Sequence, residues 1–264
     1  MRGWWQDLTD LVLPAECGGC GRPRAVLCPE CRAALTGAAP CRVRPEPEPS
    51  GLPVVHAAAP YEDAVRAALI AHKERGALAL AGPLGTALAG AVRAGVGEGP
   101  VLLVPVPSAR RAVRARGHDP ARRIALAAAG ALRRTGTPAR VAGVLRQRRA
   151  VADQSGLDSR QRLDNLAGAL VVAAGSDRLL GGGAVVLVDD LMTTGASLAE
   201  AARAVRAARD AWALVSAECG AESRAKEAVR TRGVTGRAGS AGVGDGLRAA
   251  VVAAAPDSFQ INRN

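Results

Sequence analysis

The apolar positions of the chain fall into short continuous runs, separated by longer stretches in which they recur at helical spacing. The runs predict strands at residues 52–59, 100–106, 140–145, 166–172, 184–188 and 211–217. The helical spacing predicts helices over residues 62–72, 77–94, 119–134 and 197–209. Asp119 is placed to cap the third helix, and Pro120 suits its first turn. Strands that alternate with helices predict an α/β fold, with a parallel sheet covered by helices on both faces.

Cysteines, prolines and glycines divide the chain into four expected parts. These are a cysteine module at residues 1–44, a stiff proline-rich linker at 45–51, a main domain at 52–220 and a C-terminal extension at 221–264. Part of the extension, residues 233–246, is rich in glycine and is expected to be mobile. Residues 247–255 either add a strand or pack against one end of the domain.

Composition narrows the classes of partner. The 264 residues carry a formal net charge of +11, which favours anionic partners such as pyrophosphate, nucleotides or nucleic acid. Only 2% of the residues are aromatic, so few side chains are available to stack on bases. The uncharged stretch at 76–92 is short and weakly apolar for a membrane span. We therefore expect a soluble, cytoplasmic protein with no membrane partner.

The end of the 184–188 run carries the most chemistry. Asp189 and Asp190 follow the apolar residues, and a loop of hydroxyl residues and glycine leads into the next helical pattern. Backbone N–H groups of such a loop can converge on a phosphate, while the carboxylates can bind sugar hydroxyls or a hydrated Mg²⁺. The alternatives are a buried strand with a polar exit and a Walker B strand. The second is weakened because the sequence contains no G-x-x-x-x-G-K-[ST] motif.

Four cysteines near the N-terminus form two C-x-x-C knuckles, Cys17 with Cys20 and Cys28 with Cys31. This spacing favours one structural, tetrahedral Zn²⁺, since four thiolates would close its coordination shell. Disulfides are the alternative, but the first residues do not resemble a secretory signal. Cys41 either replaces one of the four ligands or takes no part in the site. The sixth cysteine, Cys219, is expected to be a small buried thiol.

These motifs resemble those of a known family. The 185–190 run with residues 193–195 resembles the phosphoribosyl pyrophosphate (PRPP) signature of type I phosphoribosyltransferases. The cysteine knuckles, the Val104-Pro105-Val106-Pro107 turn and an Arg-rich segment at 146–165 make the chain similar to the ComF family, phosphoribosyltransferase-like proteins linked to bacterial DNA uptake. His118 and Asp119 stand where that family usually has Phe-Asn.

The resemblance implies a type I phosphoribosyltransferase-like fold and a set of site residues. The implied catalytic residues are Asp189, Asp190, Arg146 and Arg148. The implied PRPP-binding residues are Asp189, Asp190, Met192, Thr193, Thr194, Gly195, Ala196, Ser197, Lys73, Arg116 and Arg162. Mg²⁺ would accompany PRPP or a related ribose phosphate, and the cysteines would hold structural Zn²⁺. The expected activity is binding or transfer of 5-phosphoribosyl groups. The alternatives are a non-catalytic DNA-uptake factor that binds single-stranded DNA with a competence helicase partner, and a PRPP-sensing regulator.

Overall fold

A six-stranded sheet organises the chain in the computed structural model, which describes residues 16–149, 159–181, 183–228 and 246–262. Its strands, with a separate two-stranded hairpin, are β1 Cys41–Val43, β2 Val54–Pro60, β3 Val101–Pro105, β4 Ala139–Val141, β5 Leu145–Gln147, β6 Leu170–Val172, β7 Ala184–Met192 and β8 Leu247–Ala254. The sheet order is β1-β2-β8-β7-β3-β4, and β5 pairs with β6 in the hairpin. β1 and the hairpin are antiparallel, while the other neighbours in the sheet are parallel.

The helices connect these strands. They are α1 Pro29–Thr36, α2 Asp63–Glu74, α3 Ala81–Gly95, α4 Arg110–Arg116, α5 Pro120–Arg134, α6 Ser159–Leu166 and α7 Ala196–Ala228. Short 3-10 helices lie at Leu78–Leu80, Asp177–Gly181 and Pro256–Asn262. As expected, Asp119 caps α5 by accepting a hydrogen bond from the N–H of Arg122, and Pro120 opens the helix.

The sheet separates two hydrophobic cores. On one face, α2, α3 and α5 pack over residues such as Leu103, Val186 and Val188. On the other face, α7 and the β5–β6 hairpin pack over residues such as Val104 and Leu187. Strands buried on both faces must be apolar at successive positions, which is why they read as continuous runs in the sequence. The α/β architecture with helices on both faces is therefore confirmed.

The C-terminal half of the chain differs from the sequence prediction in more than one element. Residues 140–145, predicted as one strand, span the end of β4 and the start of β5, which lie in different sheets. Residues 159–166, where no helix was predicted, form α6. Residues 211–217, predicted as a strand, lie within α7, which continues from Ala196 to Ala228. The segment Ala-Trp-Ala-Leu-Val-Ser-Ala is a short apolar run, so its hydrophobic pattern fits either a strand or a helix. Its alanines and leucine have high helix propensity. Continuity with the preceding helix decides the outcome.

Residues outside the expected main domain contribute to the same sheet. β8 lies between β2 and β7, although residues 221–264 were predicted as an extension. Of the two options for residues 247–255, the structure has the strand. β1, from the expected cysteine module, forms one edge of the sheet. The expectation of mobility at 233–246 falls almost wholly outside the described residues.

One segment of the described residues is long and apolar enough to cross a membrane by length and composition alone. It is Leu78–Gly95, with a mean hydropathy of 1.2 and 44% of it buried. The α3 part packs against β2, β8 and α5, and its residues Leu84, Leu88 and Val92 are fully buried in the first core. These contacts are those of a core helix in an α/β domain.

Candidate functional site

The carboxyl ends of β3 and β7 form a topological switch point. The two strands are neighbours, but β3 leads through α5 to β4 on one side, whereas β7 leads through α7 to β8 on the other. The two connecting helices cover opposite faces of the sheet. A crevice opens outside the strand ends where connections diverge in this way, and open α/β sheets bind ligands there. Two of the sequence motifs, the 104–107 turn and the Asp189 and Asp190 pair, meet at this point.

The carboxylate pair, Asp189 and Asp190, extends beyond the end of β3. Pairing between β3 and β7 stops at Pro105 opposite Val188, and the N–H of Val106 donates to the carbonyl oxygen of Val188. Beyond that point β7 continues beside β8 alone. Both carboxylates therefore belong to the part of β7 that extends past the end of β3, next to the crevice.

Lys73 supplies a cation to this pair from the last turn of α2. Its Nζ lies 3.0 Å from Oδ2 of Asp190, whose side chain is 9% exposed. Burial lowers the pKa of Lys73, but the charges of Asp190 and Asp189 outweigh this effect and raise the pKa above its usual value. The structure thus brings together three residues that the sequence assigned to one site.

The positive charge of Lys73 offsets only part of the negative charge of Asp189 and Asp190. Burial and the adjacent Asp190 raise the pKa of Asp189 well above its usual value, and Lys73 opposes this only in part. Oδ1 of Asp189 accepts a hydrogen bond from the N–H of Asp190 at 2.8 Å. The two carboxylates carry one more negative charge than Lys73 offsets, and carboxylate oxygens are ligands that suit a hard divalent cation such as Mg²⁺.

Residues 193–197, named here the hydroxyl loop, connect the carboxylate pair to α7. Thr193 is exposed, Thr194 and Ser197 are half-buried, and Gly195 has a φ of +74°. A Cβ on Gly195 would lie 3.2–3.3 Å from Leu52 and Pro45, so the predicted linker supports the loop from behind. The loop runs into the N-terminus of α7, where the first N–H groups have no acceptor within the helix. It can therefore accommodate an anion.

Met192 and Ala196, also predicted to bind PRPP, are buried in the structure. Met192 ends β7, and its side chain packs in the second core. Ala196 is the first residue of α7. Any contact that these two residues make with a ligand in the crevice is therefore a main-chain contact.

Arg116 approaches the site indirectly. Its Nη1 lies 3.4 Å from Oε1 of Glu74, next to Lys73. A histidine pair reinforces this junction, since Nε2 of His118 lies 3.2 Å from the carbonyl oxygen of His72 and the rings meet edge to face. Burial lowers the pKa of His72. The basic segment that contains Arg116 forms the helix α4.

The other predicted arginines divide between the hairpin and α6. Arg146 Nη1 donates to the carbonyl oxygens of Gly143 and Leu145 within its own hairpin. Arg148 is exposed, and its N–H donates to the carbonyl oxygen of Ala169. Arg162 lies in α6, but its side chain is outside the described part of the structure. The catalytic role of Arg146 and Arg148 stays a prediction.

The four knuckle cysteines converge on one point. Their Sγ atoms all lie within 4.8 Å of one another, and three of the four residues are buried. A tetrahedral zinc with Zn–S bonds of about 2.3 Å requires S···S distances of about 3.8 Å. The cysteine cluster, Cys17, Cys20, Cys28 and Cys31, could therefore hold a metal ion. Cys41 pairs with Ala57 in the sheet and is not among the four, so it is not a ligand of this cluster. The side chain of Cys219 is not described.

Glycines and an ion pair shape the knuckles. A Cβ on Gly19 would lie 2.6 Å from Sγ of Cys31, and one on Gly18 would lie 2.5 Å from Leu80. Gly21 has a φ of +76°. Arg22 joins the two knuckles through a two-oxygen contact with Glu30, at 2.8 Å to each oxygen. Gly18 and Gly19 thus allow neighbouring side chains to approach closely, and Gly21 allows a left-handed backbone conformation.

The thiols of the cluster differ in acidity. Burial opposes ionisation of Cys17, but N–H groups of Cys28, Cys20 and Gly19 lower its pKa to about 6. Burial, followed by the neighbouring cysteines, raises the pKa of Cys31. A bound cation would favour the thiolate form of all four ligands. Cys17 therefore loses its proton readily and can bind a metal ion as a thiolate. Cys31 would form a thiolate only with a metal ion bound.

Two residues of α7 were missed by the sequence prediction. Glu200 is buried, and its carboxylate bonds Arg203 and the N–H of Leu170. The available signal was a glutamate among the small apolar positions of the helical stripe, with an arginine three residues later. An acidic residue at such a position requires a buried partner.

Comparison with known protein families finds no family model that matches the chain, and comparison with curated proteins finds no matching sequence. The resemblance to the ComF family therefore stays a prediction, and the argument for function depends on the geometry of the switch point and of the cysteine cluster.

Proposed function

We propose that the chain binds PRPP with Mg²⁺ at the switch point and acts as a phosphoribosyltransferase-like protein of the ComF type. One observation carries the proposal: a carboxylate pair at the end of β7 is followed by the hydroxyl loop and the N-terminus of α7. This arrangement offers carboxylate oxygens for a ribose and backbone N–H groups for its 5′-phosphate, side by side. Lys73 adds a positive charge at the same edge.

The chemistry follows from these residues. Asp189 and Asp190 would orient the ribose hydroxyls and stabilise positive charge that develops at C1 as pyrophosphate departs. The hydroxyl loop would fix the 5′-phosphate, so that the reacting carbon is held in one position. Mg²⁺, held by the carboxylates, would offset the negative charge of the pyrophosphate. Positioning and electrostatics would then supply most of the rate acceleration.

We also propose that the cysteine cluster holds a structural Zn²⁺. Four thiolates complete a tetrahedral shell and leave no open coordination position, so the metal would stabilise the fold and take no part in the reaction. The support is the convergence of the four Sγ atoms within 4.8 Å.

Calorimetry tests the PRPP proposal. The native protein should bind PRPP only with Mg²⁺ present, and Asp189→Asn/Asp190→Asn should reduce the affinity by at least about a hundredfold, since both contacts with a charged ligand are lost. Asp210→Asn is a control for the chemistry of each single substitution, because it makes the same Asp-to-Asn change, once, at an exposed position about 20 Å along α7 from the hydroxyl loop.

The outcomes separate two kinds of failure. If the native protein does not bind PRPP, the proposed function is wrong. If it binds and the double variant binds equally well, the ligand lies elsewhere on the protein. Release of pyrophosphate in the presence of candidate bases and amines then distinguishes a transferase from a PRPP-sensing regulator.

A second candidate function is binding of single-stranded DNA. It is favoured by the exposed arginines of α4, Arg110, Arg111 and Arg114, which follow the end of β3 at the same edge of the sheet. Such binding should weaken steeply with salt and should be lost when these three residues are changed to alanine. Native DNA binding that persists in the triple variant would contradict a role for this helix.

A further inference from the structure

Glu200 is a buried carboxylate outside the proposed ligand site. Its side chain is 5% exposed, and it accepts three hydrogen bonds: from the N–H of Leu170 at 2.9 Å, and from Nε and Nη2 of Arg203 at 2.7 and 2.8 Å. A carboxylate is costly to bury unless its lone pairs are occupied and its charge is paired. Burial opposes ionisation, but Arg203 and the Leu170 N–H lower the pKa of Glu200. The residue is therefore held as an anion.

Arg203 completes the contact by binding the other main-chain group of the same residue. Its Nη2 donates to the carbonyl oxygen of Leu170 at 2.9 Å. Leu170 pairs with Gln147 in the β5–β6 hairpin, and the N–H of Arg148 donates to Ala169 in the adjacent pair. Hydrogen-bonded pairs alternate along antiparallel strands, so the N–H and C=O of Leu170 point away from β5. Glu200 and Arg203 thus take the place of a neighbouring strand at the hairpin edge.

This contact joins two parts of the proposed site. Glu200 lies about one turn after Ala196, where the hydroxyl loop enters α7. Arg146 lies in the hairpin and Arg148 directly follows β5, and the family resemblance implies a catalytic role for both. The hairpin has a further contact near the end of β3, where the side-chain oxygen of Gln147 accepts from the N–H of Arg110 at 3.4 Å. The helix that would hold the phosphate therefore also fixes the hairpin.

We propose that Glu200 and Arg203 are positioning residues, which set the orientation of the β5–β6 hairpin, and hence of Arg146 and Arg148, relative to the hydroxyl loop. The inference depends on the proposed function, because it assigns the hairpin to the pyrophosphate part of PRPP. Ribose 5-phosphate, which lacks the pyrophosphate, should not need the hairpin.

Glu200→Gln and Arg203→Lys test the inference. Each keeps the approximate size of the side chain but weakens the paired contact with Leu170, since glutamine lacks the charge and the second acceptor oxygen, and lysine lacks the planar fork of donors. We expect the affinity for PRPP with Mg²⁺ to fall about tenfold, and the affinity for ribose 5-phosphate to change by less than about twofold. Glu48→Gln, which removes a more exposed ion pair with Arg44, is the matched control and should alter neither affinity.

A double-variant cycle and hydrogen exchange separate positioning from a general loss of stability. Arg148→Ala should weaken PRPP binding in the native background. It should add little to Glu200→Gln, because both changes would act on the contact between Arg148 and PRPP. Without any ligand, the Leu170 amide should exchange at least about tenfold faster in Glu200→Ala, which removes its acceptor, than in the native protein.

Equal losses of affinity for PRPP and ribose 5-phosphate would overturn the positioning role, as would full additivity of the two substitutions. Unchanged exchange at Leu170 would show that the contact does not hold the hairpin, and would also overturn the role. If the native protein binds neither ligand, the proposed function fails and this inference fails with it. Native binding of both ligands separates that case from failure of the inference alone.

Discussion

The cysteine cluster and the carboxylate pair lie near opposite ends of one helix, α2. The cluster is near its start, where a Cβ on Gly19 would lie 3.3 Å from Ala64, and Lys73 reaches Asp190 from its last turn. Lys73 lies nine residues after Ala64, which corresponds to about 14 Å along the helix. The cluster is closed and is part of the first core, together with Leu27, Leu35 and Leu80. The carboxylate pair stands at an open edge with one cation for two acids.

From this difference we expect the cysteine cluster to contribute mainly to the stability of the fold, and the carboxylate pair mainly to ligand binding. The four cysteines could together hold a metal ion, and three of them pack in the first core, so changes there should destabilise the fold. At the carboxylate pair, burial and the neighbouring Asp190 raise the pKa of Asp189, so the charged form of this residue is disfavoured in the folded protein. Changes at this site should therefore remove binding of the proposed ligand and spare the fold.

The largest expected effect is loss of the metal from the cluster. Cys17→Ser should lower bound zinc from about one per chain to near zero, and should lower Tm by at least about 10 °C, because a structural metal contributes directly to folding. Metal analysis and calorimetric melting measure both quantities. Cys41→Ser is the matched control, since Cys41 lies in β1 outside the cluster. A Cys17→Ser protein with full metal content would contradict the site.

Overpacking at Gly19 should have the next largest effect. The Cβ of Gly19→Ala would lie 2.6 Å from Sγ and 2.9 Å from Cβ of Cys31, so the free energy of unfolding should fall by about 1–3 kcal/mol. Zinc affinity should fall with it. Gly82→Ala is the control, because its Cβ meets nothing within 4 Å and alanine favours the helix. Equal stabilities of the two variants would mean that the knuckle is less tightly packed than the structure indicates.

The contrast also explains what the sequence could predict. Each C-x-x-C knuckle is contiguous in sequence, and so is the strand, carboxylate pair and hydroxyl loop of residues 184–197. Short motifs of this kind determine local geometry, and the structure has the cysteines together and the loop at a strand end. The alternation of strands and helices was sufficient to predict the layers of the fold.

Contacts between segments that are far apart in sequence could not be predicted from such local motifs. β8 lies between β2 and β7, which are both distant in sequence, and its alanine-rich run alone does not specify a central position. The contact between Glu200 and Leu170 also depends on how the hairpin meets α7. No local pattern encodes these neighbours, because they arise from packing of segments that are far apart along the chain.

Substitution of Asp189 should raise the stability of the ligand-free protein, whereas substitutions in the cysteine cluster should lower it. Asp189→Asn removes a charge that burial and Asp190 disfavour, so the ligand-free protein should become more stable by about 1 kcal/mol. This corresponds to roughly 2–4 °C in Tm for a domain of this size. PRPP binding should be lost in the same variant. Melting without added Mg²⁺ measures the effect, and a less stable Asp189→Asn protein would show that the charge is already compensated.

The smallest expected effect compares a compensated carboxylate with an uncompensated one. The pKa of Glu200 is lowered in the fold, because Arg203 and the Leu170 N–H outweigh burial, whereas the pKa of Asp189 is raised. A lowered pKa contributes stability that is present above the unfolded value of about 4.5 and is lost as pH falls through the folded value. A raised pKa acts in reverse, since protonation relieves the penalty as pH falls.

Urea unfolding between pH 7 and pH 3 tests this contrast. The native protein should lose stability on the acid side more steeply than Glu200→Gln, which has no carboxylate to protonate at that position. Asp189→Asn should instead lose stability more steeply than the native protein, because it lacks the relief that protonation of Asp189 provides. Shifts of the same sign in both variants would mean that the two carboxylates are equally compensated, and the distinction between a closed structural charge and an open functional one would not hold.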